Sequence, residues 1–150
     1  GSQEENKRAG TENVAGIAGL GEAAKLIYEN LNKRMSHLIE LETLFKEKIN
    51  ELNLSIVYNG DPNNNVPGLI SISFPGNRSD ILLAKLDRNG IELSNGSACG
   101  SGITKPSPVL KAMGISDENN LSTLRISFGR SNTKDDIHQL VKEIGLIIND

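Results

Sequence analysis

The sequence predicts an α+β fold of two layers: a short, mainly antiparallel sheet with helices on one face. Three observations carry that expectation. The stretches 69–74 and 123–128 alternate apolar and polar residues in the manner of half-buried strands. Helix-spaced apolar residues flank and separate them over 33–52, from 79 or 80 to 88, and from 133 to 148. Turn-forming runs such as Asn59-Gly60-Asp61-Pro62, Pro75-Gly76-Asn77 and Asn89-Gly90 punctuate the segments at irregular intervals, which suits a small sheet covered on one side.

The elements follow in order. Residues 3–10 are polar and end at Gly10. Thr11 can then cap a helix reaching to about 25–32, with Glu12 in its first turn complementing the positive end of the dipole. Gly16, Gly19 and Gly21 alternate there with Ala15, Ala18, Ala23 and Ala24. A glycine inside a helix costs about 1 kcal/mol relative to alanine. Such a helix is expected to lie close against another backbone, and 1–32 is read as an arm preceding a compact domain at 33–150. A second helix over 33–52 places Leu38, Leu41, Phe45, Ile49 and Leu52 at helical spacing. Residues 55–58 read as a short strand, and 69–74 as a strand with Ile70, Ile72 and Phe74 on one face. The helix beginning at Ser79 or Asp80 is stopped by Asn89-Gly90. A short strand at 91–93 feeds the glycine-rich loop 94–107. Ser107 caps a short helix with Pro108 at its first position and Gly114 beyond its end. The strand 123–128 puts Leu124, Ile126 and Phe128 opposite Thr123, Arg125 and Ser127. The last helix opens at Thr133 with Asp136 three residues on, a variant of the capping box, and buries Ile137, Leu140, Val141, Ile144 and Ile148.

Composition narrows the chemistry. At 150 residues with 37% hydrophobic and 23% charged residues, the chain can bury a real core. Aromatic residues are 3% with no tryptophan, and the net charge is −3, so neither a base-stacking platform nor a basic face for nucleic-acid binding is expected. One cysteine excludes an intrachain disulfide and a multi-cysteine zinc site, and it suits a reducing compartment such as the cytoplasm. His37 and His138 are far apart, fall on helices and read as surface residues, so no metal ligation is expected. No apolar run approaches the roughly 20 residues that span a bilayer.

Three places could carry function. Cys99 lies in Ser94-Asn95-Gly96-Ser97-Ala98-Cys99-Gly100-Ser101-Gly102, among residues too small to seat it in a core. It is either an incidental exposed thiol or a nucleophile, with Lys105 the nearest base in sequence and no histidine at hand for a protease dyad. Arg125, in mid-strand on the polar face, is either a solvated arginine or a bidentate carboxylate clamp, and Arg130 competes for the second role. Arg8-Ala9-Gly10-Thr11 is either a plain helix cap or a phosphate site.

In this order, three segments resemble the pyridoxal-phosphate-dependent cysteine desulfurases. They are Arg8-Ala9-Gly10-Thr11-Glu12-Asn13-Val14-Ala15-Gly16, Ser94-Asn95-Gly96-Ser97-Ala98-Cys99, and Leu124-Arg125-Ile126-Ser127-Phe128-Gly129-Arg130. Leu69 to Gly76 is similar to the family's segment before its catalytic loop. The long loop from Gly96 to Ser107 is closer to the subgroup serving iron–sulfur cluster assembly and tRNA thiolation. The resemblance implies a fold-type I enzyme in which Cys99 attacks the sulfur of L-cysteine, holds it as a persulfide and passes it to an acceptor protein such as an iron–sulfur scaffold. It implies that Arg125 binds the substrate carboxylate. It also implies that Thr11 binds the cofactor phosphate of the other subunit in a homodimer.

The family's cofactor lysine follows a histidine, and none of the ten lysines here does. The resemblance therefore implies the C-terminal, small-domain portion of such an enzyme, inactive alone and without bound pyridoxal phosphate. A selenocysteine or cysteine-sulfinate lyase, or a cofactor-free sulfur carrier, are the other readings.

Overall fold

The computed structural model describes residues 1–95 and 105–149. The chain divides into two compact units, 1–34 and 35–150.

The first unit holds a turn, α1 (Gln3–Asn6), and the opening part of the helix α2 (Val14–Glu51). Glu4, Glu5 and Asn6 all have φ between +51° and +65°, so α1 is a left-handed turn, which the sequence reading had as plain polar chain. Thr11 does not cap α2. The Asn13 side chain does, its Oδ1 accepting from the Gly16 amide at 3.0 Å, which moves the helix start two residues onward and leaves Glu12 outside it. The helix expected to end near 32 runs unbroken, because Asn32-Lys33-Arg34 supplies no glycine or proline to stop it.

The second unit contains the rest of α2, then β1 (Val57–Tyr58), β2 (Leu69–Ser73), α3 (Ser79–Arg88), β3 (Ser94–Asn95), α4 (Pro108–Ala112), α5 (Asp117–Leu121), β4 (Thr123–Ser127) and α6 (Lys134–Asn149). The strands form one antiparallel sheet in the order β1-β2-β4-β3. Period-2 alternation sends Ile70, Ile72, Leu124 and Ile126 to one face. There they pack with Leu41, Phe45 and Ile49 of α2, Leu82 and Leu86 of α3, and Ile137, Leu140 and Ile144 of α6. Phe45 meets Phe128 in a tilted ring pair at 6.1 Å. This is the two-layer arrangement the apolar pattern implies.

Where elements differ from expectation, the reasons are local. The short strand expected at 91–93 begins at Ser94 instead. Ile91 and Leu93 are half-buried against the core, and the Ile91 amide closes on the Leu86 carbonyl at 3.0 Å to finish the turn after α3. The five-residue α5 carries too few residues to show a period; Ser116 caps it by accepting from the Asn119 amide at 3.2 Å. The capping box at α6 forms as expected, with the Thr133 amide donating to Asp136 at 2.9 Å and the Asp136 amide to Thr133 Oγ1 at 3.3 Å.

Two buried polar links tie loops to this frame. Glu42 of α2 is 7% exposed and accepts from Lys46 Nζ (2.6 Å), Asn65 Nδ2 (3.0 Å) and the Gly68 amide (2.8 Å). Burial pushes its carboxyl up, but the lysine, amide and asparagine donors outweigh burial and hold it below the usual carboxylate range. Gly68 itself has φ +79°, and a Cβ there would come within 3.0 Å of Leu38, so both conformation and space call for glycine. The second link joins Asn120 to Ser107. Asn120 Oδ1 accepts from the Ser107 amide at 2.7 Å, and its Nδ2 donates to the Ser107 carbonyl at 2.9 Å. Ser107 therefore starts α4 through its backbone, with no hydrogen bond from its own hydroxyl to the helix.

Candidate functional site

Arg125 sits at the centre of the sheet face opposite the core. Antiparallel pairing places Ser71 of β2 directly across from it on one side and Ser94 of β3 on the other. Its neighbours on β4, Leu124 and Ile126, point into the core, so Arg125 points away from it and is exposed. It makes no hydrogen bond or ion pair with any described residue, leaving its donor fork free for a carboxylate. Arg130, the competing candidate, lies in the turn after β4, outside this row of paired side chains.

The same face is polar toward its other end. Ser73 and Thr123 are almost fully buried and their hydroxyls lie 2.7 Å apart. Thr123 Oγ1 also donates to the Asn119 carbonyl at 2.7 Å. Asn59, just past β1, donates from Nδ2 to Ser73 Oγ at 2.9 Å and to Ser71 Oγ at 3.3 Å. Sequence reading singled out none of Asn59, Ser71, Ser73 or Thr123. The alternation marked Ser71, Ser73 and Thr123 as off the core, but only strand register shows that they adjoin Arg125.

Cys99 and most of the loop 94–107 lie outside the described residues. Ser94 and Asn95, which lead into that loop, are paired to Arg125 and Leu124, so the described chain enters the loop beside Arg125. At the far end, Ser107 is anchored by Asn120. Thr11 belongs to the other unit and is exposed; its hydroxyl has no partner among the described residues. Arg8 is engaged there with the Gly10 carbonyl (2.7 Å) and Glu12 (2.9 Å). A free hydroxyl at Thr11 fits one contact to a phosphate, and the chain has no lysine following a histidine to complete a pyridoxal phosphate site.

The histidines divide. His138 is exposed on α6, but His37 is half-buried, with Nε2 3.0 Å from the Asn132 carbonyl. That corrects its reading as a surface residue: α2 packs on the turn preceding α6, and His37 ties the two together. Among the described residues no group of three or more histidine, cysteine or acidic side chains could hold a metal ion. No helix among them is long and apolar enough to cross a membrane.

A small antiparallel sheet backed by helices on one face matches the fold of fold-type I pyridoxal phosphate enzymes. The chain belongs to the aminotransferase class-V family, whose model matches residues 2–140. Within that family it is similar to cysteine desulfurases. It is 36% identical over 149 residues to a putative cysteine desulfurase IscS of Bacillus subtilis, covering 99% of this chain and 39% of that protein. It is 38% identical to the cysteine desulfurase IscS of Dictyoglomus turgidum, covering 99% of this chain and 38% of that one. The NifS-like protein of Rickettsia africae superposes with a TM-score of 0.86 at 27% identity, over 100% of this chain and 39% of that one. The chain thus spans about two fifths of the length of these relatives.

Proposed function

We propose that this chain is the C-terminal, small-domain portion of a cysteine desulfurase that draws sulfur from L-cysteine. The observation that carries the reading is sequence identity of 36–38% to desulfurases across 99% of the chain. Arg125 holds the substrate carboxylate, and Cys99, on the loop that departs from β3, is the nucleophile. The Cys99 thiolate forms a sulfur–sulfur bond to the substrate as the substrate's carbon–sulfur bond breaks. The electron pair stays with the three-carbon fragment, which gains a proton and leaves as L-alanine, while Cys99 keeps the sulfur as a persulfide. Pyridoxal phosphate, when bound in the longer protein, supplies the electron sink that makes this cleavage feasible at carbon. Thr11 contributes a hydroxyl to its phosphate, in the site of the other subunit of a homodimer.

The persulfide then passes to an acceptor protein of iron–sulfur cluster assembly or tRNA thiolation in the cytoplasm. This chain alone is inactive and binds no cofactor, since the lysine that would anchor it lies elsewhere in the parent. The test is to express the longer protein and follow its cofactor chromophore and sulfide release from L-cysteine. Cys99→Ser keeps the chromophore and abolishes sulfide release. Turnover retained by Cys99→Ser overturns the assignment of the nucleophile.

A further inference from the structure

The geometry points to the Ser71 hydroxyl as a second carboxylate-binding group beside Arg125, supplying an O–H donor whose direction is set by a chain of hydrogen bonds across the sheet. The inference rests on the reading of Arg125 as the carboxylate site and extends it to a residue outside the resembling motifs.

The direction follows from a fixed end. The Asn119 carbonyl can only accept, so Thr123 Oγ1 spends its hydrogen there at 2.7 Å. Thr123 must then accept in its 2.7 Å contact with Ser73, which makes Ser73 the donor. With its hydrogen committed, Ser73 accepts from Asn59 Nδ2 at 2.9 Å. The same amide nitrogen has a second hydrogen, which reaches Ser71 Oγ at 3.3 Å, closer than the nitrogen's 3.5 Å approach to Thr123 Oγ1. Ser71 is therefore an acceptor toward Asn59, and its own hydrogen has no acceptor among the described residues.

Asn59 cannot be turned over at no cost. Its Oδ1 is buried with no partner among the described residues, and reversing the amide would strand the NH2 group in that place. The chain of donors accordingly runs from Asn59 in both directions, ending at the Asn119 carbonyl on one side and at the Ser71 hydroxyl on the other.

Ser71 faces Arg125 across the β2–β4 ladder on the same side of the sheet. Side chains so placed have Cβ atoms about 5 Å apart, close enough for one carboxylate to touch both. The guanidinium offers two parallel N–H donors to the carboxylate, and Ser71 adds an O–H to an oxygen lone pair the fork leaves open. A donor already polarised by the Asn59 amide binds an anion better than a free hydroxyl does. The guanidinium charge makes the pair favour a carboxylate over a neutral amide, which can take the Ser71 hydrogen but brings no charge to the fork.

The test uses the 150-residue chain in an NMR titration with sodium acetate, with acetamide as the neutral control, reading the Arg125 Nε–H and the Ser71 and Ser94 amides. Acetate shifts these signals and acetamide does not. Ser71→Ala weakens acetate binding about tenfold, the loss of one hydrogen bond to a charged group, and Ser71→Thr, which keeps the hydroxyl on a strand, stays near wild type. In the longer holoenzyme, Ser71→Ala raises KM for L-cysteine with little change in kcat. Acetate affinity unchanged in Ser71→Ala, while Arg125→Gln abolishes it, overturns the role of Ser71 alone. Acetate binding that survives Arg125→Gln overturns the carboxylate site itself.

Discussion

Glu42 on α2 accepts from the backbone amide of Gly68 at 2.8 Å, a link that fastens the loop before β2 to the helix on which the sheet packs. Because Lys46 and Asn65 share the same carboxylate, the loop is held by charge as well as by shape. Glu42→Gln keeps the volume but loses the charge-assisted bonds, and it should destabilise the fold by about 1–2 kcal/mol in urea denaturation. The folded carboxyl titrates below its unfolded value. Its contribution is thus complete above about pH 4.3 and disappears as the pH falls through the lower folded value. Wild type should lose stability in that acid range faster than Glu42→Gln does, and parallel acid profiles would contradict the assignment.

Asn120 holds the buried backbone of Ser107, where the loop carrying Cys99 rejoins the domain. The Ser107 carbonyl retains its helix bond from Lys111 when Asn120 is cut back, but the Ser107 amide is left without a partner. Asn120→Ala is expected to cost about 1–3 kcal/mol and to speed hydrogen exchange at Ser107. Unchanged exchange there would show that the amide is satisfied by other means.

Arg125→Lys preserves charge and loses the planar fork. In the longer holoenzyme KM for L-cysteine should rise about tenfold or more, with a smaller effect on kcat, because a point charge cannot replace two parallel hydrogen bonds. Steady-state kinetics at several cysteine concentrations separates the two constants.

The first unit exposes Val14, Ile17, Leu20 and Tyr28, with Leu20 72% and Tyr28 86% accessible. Beyond the neighbouring backbone of the helix itself, no described atom lies within 4 Å of where Cβ atoms on Gly19 and Gly21 would stand. An apolar, small-residue surface of this kind should make the 150-residue chain associate with itself. Sedimentation velocity should show concentration-dependent species that Leu20→Glu reduces, whereas a single monomeric boundary for wild type would refute the expectation.

The course of the chain was legible wherever period and punctuation were strong. Ile70/Ile72 and Leu124/Ile126 announced their strands, Thr133 and Asp136 announced the start of α6, and Asn89-Gly90 the end of α3. Short or competing signals were not legible. Asn13 took the cap from Thr11 because both are eligible residue types two positions apart, and only backbone geometry chooses between them. The five residues of α5 are fewer than two helical turns, too short for a hydrophobic period.

By itself, then, the sequence determined which residues face a core, since apolar spacing along the chain is a local property. It also determined the candidates Thr11, Cys99 and Arg125, through the residue types and the order in which they occur. What only the tertiary structure decided is company. That Ser71 and Ser94 flank Arg125, and that Asn59 donates to Ser71 and Ser73, depends on strand order β1-β2-β4-β3 and its register. Register is a contact between segments tens of residues apart, and a shift of one residue would send each of these side chains to the other face.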